Sequence, residues 1–133
     1  MKVCMIGSRH WSDRTKIKDT ILALKKRFIE DLTIISGGNS YGADPLVRKY
    51  ALEMDCKYKE FNVSHTTKNL YSVLPEAFFG KPYSAKNFFV RNNIMIRYSD
   101  CIMAFIPKNK EARGTINIIK CAKKMGKKIV IIE

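Results

Sequence analysis

Five short apolar runs, separated by stretches of helical period, leave this chain few folds to adopt. The apolar runs are Lys2–Ile6, the stretch around Leu32, Ile34 and Ile35, the weaker Lys57–Phe61, Asp100–Ile106, and the nearly continuous Lys127–Ile132. Between the first two, Ile17, Ile21, Leu24 and Phe28 mark one face of a helix that Ser12 or Asp13 can cap, and Lys16, Lys18, Lys25 and Lys26 take the solvated face. Val47, Tyr50, Ala51 and Met54 stripe a second helix. A third runs from a Ser84 cap to about Tyr98, with Phe88, Met95 and Ile96 as core candidates. A fourth opens at Gly114-Thr115, buries Ile118, Ala122 and Met125, and stops at Gly126. Strictly alternating strands and helices predict an α/β protein with a five-stranded parallel sheet, covered on both faces and joined by right-handed crossovers.

The stretch Ile34–Asp44 reads strand, glycine loop, helix. Asp44 and Pro45 are residue types that favour the N-cap and the first helical position. Gly37, Gly38 and Gly42 have no side chains to keep an anion from the loop's N–H groups and the positive end of the following helix. A tight turn that merely joins strand to helix explains the same residues. The spacing is neither G-x-G-x-x-G nor G-x-x-x-x-G-K-[ST], so neither of those functions carries over. Gly7-Ser8-Arg9 places a hydroxyl and a guanidinium at the carboxyl end of the first strand, where ligands sit in open parallel sheets. Asn62–Ser84 has no long periodic pattern and is expected to be a lid or an unrecognised element. Within it, Asn69–Leu74 can form a helical turn, and Phe78, Phe79, Tyr83 and Lys81 can fold over a nucleobase or pack against the sheet edge.

A length of 133 residues suits one domain with a hydrophobic core. A formal charge of +13 attracts anionic partners without specifying whether they are nucleotides or nucleic acid. Cys4, Cys56, Cys101 and Cys121 are too scattered for a C-x-x-C pair and read as buried apolar residues in a reducing compartment, so neither a metal nor a disulfide is expected. The first residues do not form a secretory signal, and no apolar run is long enough to cross a membrane. A cytoplasmic protein without a membrane partner is expected.

Four signatures coincide: Gly7-Ser8-Arg9, Gly37-Gly38-x-x-x-Gly42-Ala43-Asp44, Arg91-Asn92 in the third helix, and Gly114-Thr115 before the fourth. In this combination the chain resembles the SLOG superfamily, most closely its compact YspA-related branch, over nearly its whole length. The resemblance implies a Rossmann-like three-layer sandwich that binds nucleotides or ADP-ribose-like molecules at the carboxyl ends of the strands. It also implies self-association into a homo-oligomer and no separate cofactor. The same superfamily holds the Lonely Guy phosphoribohydrolases and the branch of DNA processing protein A, which binds single-stranded DNA.

Lonely Guy enzymes carry P-G-G-x-G-T-x-x-E. The corresponding segment here lacks the Pro-Gly-Gly and has Ile118 in the glutamate's place. Isoleucine can neither stabilise an oxocarbenium-like centre nor activate water, so the balance moves from enzyme to binding protein. The leading expectation is a sensor or sequestering domain for a nucleotide-derived small molecule, with Gly7, Ser8, Arg9, Gly37, Gly38, Asp44, Arg91, Asn92, Gly114 and Thr115 as ligand-binding residues. Arg9 and Arg91 are expected to grip phosphate oxygens. The alternatives are an N-glycosidase or phosphoribohydrolase using Asp44 or Glu76, and a single-stranded nucleic-acid binder using the basic charge and the aromatics between Tyr71 and Arg91.

Overall fold

The computed structural model describes residues 1–39, 41–61, 85–108 and 112–133, with side chains from residue 89 onward in the third helix. In chain order the elements are β1 (Lys2–Gly7), α1 (Arg14–Phe28), a 3-10 turn (Ile29–Asp31), β2 (Thr33–Ser36), α2 (Ala43–Glu53), β3 (Lys57–Glu60), α3 (Ala85–Tyr98), β4 (Cys101–Phe105), α4 (Arg113–Lys124) and β5 (Lys128–Ile132). All neighbouring strands pair in parallel, in the order β3-β2-β1-β4-β5. This is the covered five-stranded parallel sheet the alternation predicts, in a Rossmann-like α/β sandwich.

Side-chain alternation along the central strand builds two cores. Val3 and Met5 point to the face covered by α1 and α2, where they meet Ile17, Ile21 and Val47. Cys4 and Ile6 point to the opposite face and pack with Met95 and Ile96 of α3 and Ile119 and Ala122 of α4. Each fully buried aliphatic side chain contributes roughly 1.5–3 kcal/mol, so the two layers hold the sheet between them. Trp11 closes the first core over β4, its ring edge-on to Phe105 with centroids 5.3 Å apart. All four cysteines are free thiols.

One local expectation is met and another is corrected. Asp13 does cap α1, accepting from Lys16 N at 3.2 Å. Asp44, however, is not the cap of α2: Gly42 is, with φ +77°, and the helix starts at Ala43, ahead of Pro45. A Cβ on Gly42 would lie 2.3 Å from the Ser8 carbonyl oxygen, so close packing of two loops, as well as the positive φ, demands glycine there. Asp44 sits in the first turn and uses its carboxylate elsewhere. The expectations for Asn62–Ser84, including the lid, its aromatics and Glu76, lie outside the described residues. Among the described residues no helix is long and apolar enough to cross a membrane.

Candidate functional site

From β1 the chain goes to β2 and β3 on one side, then returns to β4 and β5 on the other. Loops leaving β1 and β4 therefore diverge and open a crevice at the carboxyl ends of the strands. A cavity of about 450 Å³ occupies it. Of the ten residues singled out in the sequence, Gly7, Ser8, Arg9, Gly37, Asp44, Arg91, Asn92, Gly114 and Thr115 line this cavity. Gly38 does not, although its neighbours Gly37 and Asn39 do.

The β1 loop is fixed from several directions. Ser8 N–H donates to the Phe105 carbonyl at 3.1 Å, and the Ser8 carbonyl accepts from Trp11 N–H at 3.1 Å and from Ala43 N–H at 3.3 Å. The Ser8 hydroxyl accepts from His10 N–H at 3.0 Å. Arg9, at the turn of this loop, is exposed at the cavity wall.

The glycine loop after β2 serves a different purpose from the one its composition suggests. Of the first amides of α2, Ala43 N–H is already given to Ser8, and Pro45 has none. Gly37 makes room for arginine: a Cβ there would lie 2.9 Å from Arg91 Nη1. Arg91 is 3% exposed and donates from Nη1 to the carbonyls of Gly37 at 2.5 Å and Phe61 at 3.0 Å, and from Nε to Asn92 Oδ1 at 2.8 Å. It ties α3 to the ends of β2 and β3. Nη1 and Nε of Arg91, a residue expected to grip phosphate, are thus engaged within the protein at the cavity wall.

Asp44 is 4% exposed and accepts from Asn39 N–H at 3.0 Å. Burial pushes its carboxyl up to about 6, against the opposing pull of the Asn39 amide and the Arg91 guanidinium. The same burial lowers Arg91 from its ordinary value, while Asp44 opposes that shift. In both residues the loss of water outweighs their mutual attraction.

The end of α4 is differently disposed. Its N-cap, Ala112, offers no side-chain hydrogen bond, and a Cβ on Gly114 would meet nothing within 4 Å. The helix thus begins at the cavity without a side-chain cap, at the buried Thr115 and in the same lining as Arg9. Ile118 also lines the cavity. Sequence reasoning missed Phe89 and Asn117 of the lining; Asn117 is a polar-face position of its helix, whereas Phe89 lies seven positions before buried Ile96, and that spacing was its available signal. Among the described residues no cluster of His, Cys, Asp and Glu could hold a metal ion.

No family model matches the sequence, and no curated protein does. Among solved structures, the fold is similar to that of DNA processing protein A from Helicobacter pylori, with a TM-score of 0.67 and 19% identity. The alignment covers 100% of this chain and 65% of that one. That protein is described as having a unique single-stranded DNA binding mode. At this identity the likeness establishes the shared Rossmann-like fold.

Proposed function

We propose that the protein binds a nucleotide-derived small molecule, of the nucleoside phosphate or ADP-ribose type, in the crevice at the carboxyl ends of β1 and β4, as a sensor or sequestering domain. The observation that carries this reading is the start of α4 at the cavity, where Ala112 gives no side-chain cap and Gly114 is unobstructed, in a lining that Arg9 shares. First-turn amides and a positive helix end favour phosphate, and an exposed guanidinium opposite adds a charge-assisted grip. A volume of about 450 Å³ suits a ligand of nucleotide size. Residues 1–133 act in this reading as a single SLOG-like binding domain. Thermal unfolding with a panel of nucleotides and ADP-ribose tests it: a ligand present at a hundred times its Kd should stabilise by about 2.7 kcal/mol, and no shift anywhere in the panel at millimolar concentration refutes it.

A second reading is single-stranded nucleic-acid binding, supported by the +13 charge and by what is said of the structural neighbour. It predicts a log–log salt slope of about −0.7 per phosphate contacted. Oligonucleotide binding insensitive to salt eliminates it.

A further inference from the structure

We propose that Asn92 reads the edge of the ligand's base as a pure hydrogen-bond donor, so that the site takes an oxo-bearing base, such as hypoxanthine or uracil, in preference to an amino-bearing one, such as adenine or cytosine. This rests on the nucleotide reading above. Arg91 Nε carries a hydrogen and can only donate, so the Asn92 atom 2.8 Å from it is the carbonyl oxygen. Flipping the amide would set two donors against each other. Arg91 is itself immobilised by the carbonyls of Gly37 and Phe61, which makes it a positioning residue for the amide.

The Asn92 amide nitrogen, left without a partner among the described residues, belongs to a half-buried side chain in the cavity wall. An acceptor on the ligand satisfies it; an exocyclic amino group presents another donor and leaves both unpaired. The base is placed there by the division of the lining. Arg9 and the α4 amides form the anion-friendly side, whereas Phe89, one helical turn before Asn92, is 51% exposed at the cavity and offers an aromatic face. A base stacked on Phe89 brings its edge to Asn92.

The test measures binding by calorimetry for two matched pairs, IMP against AMP and UMP against CMP, with ribose 5-phosphate as the shared fragment. The wild-type protein should prefer the oxo member of each pair by about tenfold or more. Asn92→Asp keeps an acceptor for Arg91 Nε but turns an acceptor toward the ligand, so the order should reverse. Asn92→Ala should erase it. Equal affinity within each pair, or preference for AMP and CMP, while ribose 5-phosphate still binds, overturns the inference and leaves the nucleotide reading standing. Failure of all five probes to bind overturns the inference, and with no thermal shift across the nucleotide and ADP-ribose panel the nucleotide reading falls with it.

Discussion

The guanidinium of Arg91 donates to the carbonyl of Gly37, 54 residues away in sequence, at 2.5 Å. This bond joins the middle of α3 to the loop that the glycines make possible, and it explains why the loop has no side chain at that point. Removing the guanidinium strands the Gly37 and Phe61 carbonyls and takes from buried Asp44 a positive charge that favours its ionised form. Arg91→Ala should therefore lower stability by about 3 kcal/mol in urea unfolding. Arg9→Ala, at an exposed position, should change stability by no more than about 0.5 kcal/mol while weakening phosphate ligands roughly tenfold.

Asp44 makes stability depend on pH in an unusual direction. Its carboxyl is pushed from 3.8 up to about 6, so the folded protein keeps the proton longer than the unfolded chain. The contribution is fully present below pH 3.8 and is lost as pH rises through about 6. Measured against Asp44→Asn, the wild type should lose up to about 3 kcal/mol between pH 4 and 7. Parallel profiles for the two proteins would rule this out.

Two glycines should respond oppositely to the same substitution. At Gly42 a methyl group would lie 2.3 Å from the Ser8 carbonyl and would occupy φ +77°, so Gly42→Ala should cost several kcal/mol, about 3 or more. At Gly114 it would meet open space, and alanine should stabilise the helix by up to about 1 kcal/mol. Denaturant midpoints distinguish the two.

Ile29 ends α1 with φ 54° and is 71% exposed. A β-branched residue is strained in this conformation and gains little from burial there. Ile29→Gly should raise stability by about 1 kcal/mol, read as an increase in Tm.

The strands were legible because a parallel sheet covered on both faces needs continuous apolar runs, and Val3 to Ile6 supply one that feeds both cores. The position of the crevice followed from the same alternation, since loops at the strand ends carry the glycines and arginines. The function of individual residues was less visible. Arg91 looked like a polar residue on a helix, yet it lies four positions before buried Met95 on the same face, and that spacing was the available sign of burial. Gly37 and Gly42 signalled close approach correctly, but local sequence does not say whether the approaching group is a ligand, an arginine or another loop. Contacts from α3 and β1 decide that, and they are distant in sequence.

The central claim, an anion held between the β1 loop and the start of α4, is tested most directly by titrating isotopically labelled protein with IMP and following backbone amide resonances. The account predicts that Ser8, Arg9, Gly114 and Thr115 shift together and saturate on one curve, while Lys57 and Lys59 on β3 stay in place. Saturable shifts centred on β3, or none at Gly114 and Thr115 at millimolar ligand, would contradict it.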